Sequence, residues 1–587
     1  MALPGLTQSV QDGNLGLLHG SNAQQALLLG NSLGGTQGVL TAYGDQTTMA
    51  AALVGGELLE AATYVLKTGG GPVYVYPMPL TTRGGVGSVT KTGTGAGTVT
   101  LTIAPHAQIT ITCTTAGALG TAAFTFQIGS GAVSAPVTSA AGWSSTGYQL
   151  PGTYITIVFV AGSYVAGGTP DIYIISTLGA VTHPQGAGPA VPTFTASPVD
   201  YYTPKIQILV AGALGTMQFQ YSLDGTASNM SAAIVSPGGG AYALTVPATG
   251  LGTGIVVTFA STFTTDNTYS WQCAGPTFSA SDLTAAQTAL QTTYLASAGY
   301  SMQAAIGSLA STAAWSTQVS ALQSSAATLF NNGVYIRCFS GCPTVGTVLP
   351  NAGSITVDSA DTDSVVIAGR QAMSAANVVP CAGDVLLTSP LTGLSFRRNA
   401  LWPALARATK VEPSKNIGAV ADGGLLNVTA LYRDDNALGG TFDAVGITTC
   451  RTFPNYGGLY MVDGHTATVS TSDYYPLTNA RVIDRACAIA RQKGLPYVQA
   501  KLPTTTKGAN VGVITEKKAQ QIEKDVNGGM RTMVDNQPQD ALAVSCVVNR
   551  TNNLYATGNL IMSINVQPYA YARTVTQVIG LQIVAGT

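Results

Sequence analysis

The feature that most constrains this chain is an internal duplication. The hexapeptide Ala-Gly-Ala-Leu-Gly-Thr occurs at residues 116–121 and again at 211–216, an offset of 95. At that offset Phe124, Phe126 and Ile128 match Phe219, Tyr221 and Leu223. Farther on, residues 152–159 (GTYITIVF) match residues 252–259 (GTGIVVTF), and Tyr173 matches Tyr269. Two blocks that share a beginning, a middle and an end form a tandem repeat. Within each block the apolar residues alternate with period 2. Phe124, Phe126 and Ile128, then Ile155, Ile157 and Phe159, fall on one face, with Thr, Gln or Val on the other. Gly, Pro and Asn clusters separate these runs at short intervals. The pattern predicts two small antiparallel β-sandwich modules, placed at residues 85–190 and 191–278. Neither contains a paired-carboxylate or histidine cluster, so both are expected to be shells and not active sites.

The flanking sequence has a different period. Ser281 and Asp282 cap an Ala/Leu/Gln-rich helical run over 283–296, and a second covers 313–330. Strand-like segments follow at 334–338, 365–368, 459–462 and 497–500. Before the duplication, strand-like 26–29, helical 57–67 and strand-like 73–76 repeat the alternation. The predicted fold class is therefore an α/β (α+β) core built from both chain ends, interrupted by the two β modules near residues 79–82. Two C-terminal helices are the clearest. Residues 479–493 place Val482, Ile483, Ala486, Ile489 and Ala490 on one face, with Gly494 as the stop. Residues 515–526 bury Ala519, Ile522 and Val526 and turn Lys517, Lys518, Gln521, Lys524 and Asp525 outward, before Asn527-Gly528-Gly529 ends the helix.

Charge sharpens this division. Only 9% of the 587 residues are charged, against about 25% in an ordinary soluble domain. Residues 1–336 hold 4 basic and 9 acidic residues, and residues 337–587 hold 21 and 17. The balance gives no polybasic surface for nucleic acid and no acidic tail. Mean hydropathy is +0.27, yet there is no apolar run of the roughly 18 residues that membrane insertion requires. The opening lacks the basic start and apolar core of a signal peptide. A nearly uncharged Gly/Ala/Thr-rich chain points to a protein that packs against copies of itself.

Motifs for chemistry are weak. Gly30-Asn31-Ser32-Leu33-Gly34 fits a nucleophile elbow after an apolar run, which makes a serine hydrolase using Ser32 the third reading. Too little chain precedes Ser32 to supply a sheet and oxyanion loop, and no helical pattern follows it. The base would have to be His106, His183 or His465, and the first two lie in the β modules. Asp463-Gly464-His465 sets an acid and a base at a strand end without a nucleophile or metal partner, and a turn is expected. Asp361 and Asp363 lack the calcium-loop continuation and are expected at a helix start. Eight cysteines are scattered without a CxxC pair, and Cys338 and Cys342 have no histidine beside them, so no zinc site is expected. No phosphate loop occurs. No catalytic, cofactor-binding or metal-binding residue is therefore assigned, and the chain is expected not to be an enzyme.

Three stretches, in order, resemble the contractile tail sheath proteins of bacteriophages and related injection machines. They are residues 26–40 (ALLLGNSLGGTQGVL) with 55–77 (GGELLEAATYVLKTGGGPVYVYP), residues 456–491 (YGGLYMVDGHTATVSTSDYYPLTNARVIDRACAIAR) and residues 558–583 (GNLIMSINVQPYAYARTVTQVIGLQI). The resemblance implies a virion protein of the phage tail, assembled in the host cytoplasm as stacked, six-membered rings of itself around a tail tube protein. Baseplate and tail terminator proteins would be its further partners. It implies linking arms at 1–20, chiefly 3–18, and within 561–587, chiefly 561–584, that add strands to neighbouring subunits. The core would then comprise residues 21–84 together with 279–560. Contraction would release energy stored at assembly, without a nucleotide site. The helix over 515–526 would face the tube, and the β modules would project outward. A non-contractile virion or cell-surface adhesion protein is the alternative.

Overall fold

The structure, a computed structural model, describes residues 24–573 except 343–359 and shorter stretches, most of them between 79 and 311. The chain forms two compact units, Met1–Val411 with Ile417–Pro476, and Glu412–Asn416 with Leu477–Thr587. The expected linking arm at 1–20 and the end of the C-terminal arm, 574–587, lie outside the described residues. Among the described residues, no helix is long and apolar enough to cross a membrane.

The first unit is mixed α/β and is organised on a six-stranded sheet. Its order is Thr41–Tyr43, Val73–Pro77, Ala26–Gly30, Met302–Ala305, Arg337–Gly341 and Val378–Cys381. The last five strands are parallel, and Thr41–Tyr43 is an antiparallel edge. A parallel sheet covered on both faces demands strands apolar along their whole length. Ala26–Gly30 and Met302–Ala305 are buried at every position. Ala26 lies opposite Val73 on one side and Met302 on the other, so the beginning and the middle of the chain meet at the centre of the sheet. Helices Ala280–Ala296 and Thr312–Asn331 cover it. Leu283, Ala286 and Leu290 of the first, and Trp315, Val319, Leu322, Ala326 and Leu329 of the second, recur at helical spacing in one core with Leu27, Leu29, Cys338 and Val378.

Three sequence expectations change in register or type. The strand expected at 334–338 runs Arg337–Gly341, because Gly333 takes φ 79° and Val334 N–H returns to the Leu329 carbonyl to close the preceding helix. The strand-like residues 365–368 lie inside helix Ala360–Gln371. Val366 is buried there and its neighbour Val365 is 53% exposed, so packing overrides the β-branched propensity of the Val-Val-Ile run. Asp361 falls in that helix's first turn, as expected. Of residues 497–500, Tyr497 ends a 3-10 turn, Leu495–Tyr497, and Gln499 takes φ 56°, which is incompatible with an extended strand.

Each duplicated block carries a five-stranded and a three-stranded antiparallel sheet. In the first block the five-stranded order is Val137–Thr138, Ala123–Ile128, Ile109–Thr115, Ile172–Ile175, Val181–Gln185. The second repeats it as Ile234–Val235, Gln218–Ser222, Lys205–Val210, Thr268–Ser270, Thr90–Thr92. Each has its own aromatic core. Phe124, Trp143, Phe159, Tyr164 and Tyr173 form one, and Phe219, Phe259, Phe263 and Tyr269 the other. Alternate residues such as Ile206 and Ile208, or Phe219 and Tyr221, supply it. The duplicated Ala-Gly-Ala-Leu-Gly-Thr is the same turn twice. The Thr121 and Thr216 hydroxyls donate to the Ala118 and Ala213 carbonyls, each at 3.0 Å. A Cβ on Gly117 or Gly212 would lie 2.4 or 2.7 Å from those hydroxyl oxygens, so glycine lets the threonine hydroxyl close the turn at both. Residues 90–92 and 98–103, grouped by the sequence with the first block, pair with strands of the second.

A buried charge cluster anchors the second block to the core. Arg398, on strand Ser395–Asn399, reaches the Asp200 carboxylate at 2.9 Å, both residues 2% exposed. Its guanidinium lies 4.6 Å from the Phe396 ring and 4.8 Å from the Trp402 ring. Helix Glu57–Thr68 adds Glu57 and Glu60, both buried. Burial pushes both carboxyls up to about 7, reinforced by the charge of Asp200 and opposed by Arg398. The Ser389 hydroxyl donates to Glu60. Beside the cluster, Leu394 and Phe396 enter the core of the second block, and Ser395 N–H donates to Asp224 at 3.0 Å.

Candidate assembly interface

The second unit is built on two helices and a hairpin. Helix Leu477–Gly494 presents Val482 and Ala486, with Ile489 and Ala490 partly buried. Helix Glu516–Met530 buries Ala519, Ile522, Val526 and Met530 against it. The sequence ends this helix at Asn527-Gly528-Gly529, but the helix continues to Met530. Gly529 serves close approach and not termination, because a Cβ there would lie 2.6 Å from Lys493 of the facing helix.

Strands Ala543–Val548 and Met562–Gln567 form a two-stranded antiparallel sheet. Its inner face, Val544, Cys546 and Val548 with Met562, Ile564 and Val566, packs on the helices. Its outer face alternates to exposed Ser545, Val547, Ser563 and Asn565. The two edges differ. Along Ala543–Val548 the outward N–H groups of Cys546 and Val548 donate to Asn527 at 2.8 Å and Glu523 at 2.7 Å, both on helix Glu516–Met530. That edge is capped by side chains. The same bonds fix the phase of the ladder: Cys546 and Ile564, and Val544 and Val566, are non-hydrogen-bonded pairs. The N–H and C=O groups of Ile564 and Val566 therefore point away from the hairpin. Among the described residues, no strand pairs with that edge. Residues 562–567, counted by the sequence within the C-terminal linking segment, are thus a strand of their own chain.

The expected tube-facing residues lie on one exposed helix face. Lys517, Gln521, Lys524 and Asp525 are exposed, and Lys518 is half-buried. Lys518 Nζ donates to Gln521 Oε1 at 3.1 Å and lies 5.5 Å from the Tyr497 ring centroid. Asp525 accepts from the Tyr497 hydroxyl at 2.5 Å. Glu516 and Glu523 of the same helix bind Arg550, each at 2.7 Å, and those hydrogen bonds hold both carboxyls below the ordinary range. With these acids engaged, the uncommitted charge on this face is that of Lys517 and Lys524, neither of which is in an ion pair among the described residues.

The candidate catalytic groups are placed apart. Ser32 is buried and its hydroxyl donates to the Gly34 carbonyl at 2.7 Å. The next helix begins only at Gln46, so the strand-to-helix elbow is not formed. His465 is buried, but its partner is Asp443 at 2.9 Å and not Asp463, and it stacks on Tyr475 at 4.4 Å. Asp363 pairs with Arg433. Among the described residues no group of three or more His, Cys, Asp or Glu could hold a metal ion. The sequence reached the helix face through its period. It did not reach the capped and open edges, because Asn527 and Glu523 carry no pattern that marks them as partners of strand N–H groups.

No protein-family model and no curated protein matches the chain. Several solved structures are similar to it. The sheath tail protein of Desulfitobacterium hafniense is 10% identical over 97% of this chain and 100% of its own, with a TM-score of 0.39. The sheath tail protein of Listeria innocua is 11% identical over 93% and 95%, with a TM-score of 0.39. The helical sheath of the anti-feeding prophage in its contracted state is 13% identical over 52% and 77%, with a TM-score of 0.33.

Proposed function

We propose that this chain is the structural subunit of a contractile tail sheath, polymerising as stacked rings around a tail tube in a phage tail or related extracellular particle. The observation that carries the reading is the open hairpin edge at Met562–Gln567. A strand edge with unpaired, outward N–H and C=O groups is a template for another strand. The occupants that the sequence resemblance supplies are the linking arms at 1–20 and within 561–587, of which 562–567 is the hairpin strand itself. In an array each copy donates its arms and accepts those of neighbours. Rings, six-membered by the resemblance, then stay tethered while subunits move as rigid bodies on contraction. Baseplate and terminator proteins would close the two ends of such an array.

Helix Glu516–Met530 would face the tube, with Lys517 and Lys524 as its free cations beside Lys518, Gln521 and Asp525. The two β modules, poor in charge and built on separate cores, would be the outward decoration. Substituting Lys517→Glu together with Lys524→Glu is expected to abolish co-sedimentation with the particle's own tube protein, while the sheath protein still assembles alone. Unchanged co-sedimentation would remove this helix from the tube-facing role. Both lysines are exposed, so the fold should tolerate the reversal.

A further inference from the structure

The duplication also includes the strands that open each repeat. Val89-Thr90, Gly95-Ala96-Gly97 and Thr100-Leu101-Thr102 recur as Val181-Thr182, Gly186-Ala187-Gly188 and Thr193-Phe194-Thr195. Each repeat therefore opens with the same two strand segments before its body begins. The pairing crosses over. The opening segments of the first repeat, Thr90–Thr92 and Thr98–Ile103, pair with the body of the second, on Thr268–Ser270 and Gly252–Ala260. Those of the second, Val181–Gln185 and Thr193–Phe194, pair with the body of the first, on Ile172–Ile175 and Thr156–Val158. The registers are equivalent. Thr90 lies opposite Ser270 as Thr182 lies opposite Ile174, and Leu101 lies opposite Val257 as Phe194 lies opposite Ile157. Related segments thus take the same seat on two related bodies, and each body is completed by the other repeat's segment.

The two seats differ in how their occupant is tethered. Val181–Gln185 follows its partner strand Ile172–Ile175 across residues 176–180 alone, so this pairing is local. Thr98–Ile103 reaches Gly252–Ala260 only after the whole first block has intervened. Closing a contact of long sequence separation costs more chain entropy and is slower than closing a hairpin. A chemically identical segment on a neighbouring chain, held at high local concentration, can then compete for the same edge. The segment also specifies its seat weakly, since its repeat fits the equivalent edge.

We propose that the edge formed by Gly252–Ala260 and Thr268–Ser270 is a strand-acceptor site for strands Thr90–Thr92 and Thr98–Ile103 of a second copy of this chain, so that neighbouring copies exchange the strands that the two repeats exchange within one copy. This does not depend on the sheath reading, because strand exchange needs only two copies. The test uses two full-length single variants, Thr100→Cys and Thr258→Cys, whose positions are register partners. Both carry Cys487→Ser, because Cys487 is the one native thiol that is not buried. The two chains are unfolded, mixed, refolded and oxidised. A disulfide-linked heterodimer on a non-reducing gel is the expected result. A second mixture, Thr92→Cys with Thr268→Cys, probes the other sheet should the first pair disturb its own. Absence of a heterodimer from both mixtures overturns the proposal. So does a Thr100→Cys chain that links instead to Val158→Cys, the equivalent position in its own repeat.

Discussion

Deleting residues 1–18 is expected to abolish polymerisation while leaving the circular dichroism and Tm of the chain unchanged. The deleted residues precede the first strand of the core sheet, Ala26–Gly30, whose partners Val73–Pro77 and Met302–Ala305 remain in place. If they act as a donor strand, their loss removes the donor from every subunit interface at once. The acceptor side can be tested independently. Val566→Pro keeps apolar bulk on the inner face of the hairpin and removes an N–H that points away from Ala543–Val548, so the hairpin loses no ladder bond. It is expected to reproduce the deletion: a folded chain that sediments as a small species. Tubes formed by both variants would show that the open edge is not the joint.

The second large effect concerns Arg398. Replacing it with Met leaves Asp200, Glu57 and Glu60 buried without their shared cation, and breaking a buried pair from one side costs about 3–5 kcal/mol. At pH 8 this should lower the Tm of the first unit by roughly 3–5 °C, the unfolding entropy of so large a unit being high. The loss should be smaller at pH 5. Glu57 and Glu60, raised from 4.5 to about 7, hold their protons there and are neutral in the folded state. The sign follows from proton linkage. A carboxyl raised on folding binds a proton more tightly in the native state, so its stability contribution is present below the unfolded value and is lost as pH rises toward 7. The double variant Glu57→Gln, Glu60→Gln should flatten this dependence. A loss for Arg398→Met that is equal at both pH values would show that the glutamates are not coupled to it.

This cluster also marks where the sequence stops being informative. Glu57 and Glu60 stand beside Leu58 and Leu59, and on an ordinary surface helix they would face water. Here helix Glu57–Thr68 is buried nearly all round, a consequence of tertiary contact and not of its own period. Arg398 and Asp200 are 198 residues apart, and nothing local pairs them. By contrast, the duplication was legible because the same hexapeptide recurs, and the structure adds that it is one turn used twice. Strands Ala26–Gly30 and Val73–Pro77 were legible because a parallel sheet requires unbroken apolar runs, whereas Thr41–Tyr43, Met302–Ala305 and Val378–Cys381 were not foreseen. The crossed pairing of the repeats was not. Thr- and Val-rich segments with the same alternation fit either edge, so only the assembled sheets reveal the partner. On the candidate interface, the face carrying Lys517 and Lys524 followed from helical spacing. The capping of one hairpin edge by Asn527 and Glu523 followed from the packing of that helix.

Electron microscopy of the purified full-length protein, at concentrations that favour assembly, decides whether the chain is a sheath subunit. Hollow tubes or stacked rings with a regular axial repeat, wide enough to enclose an inner tube, are the expected result. A uniform population of discrete monomers or small closed oligomers, with no tubes or rings, would contradict it.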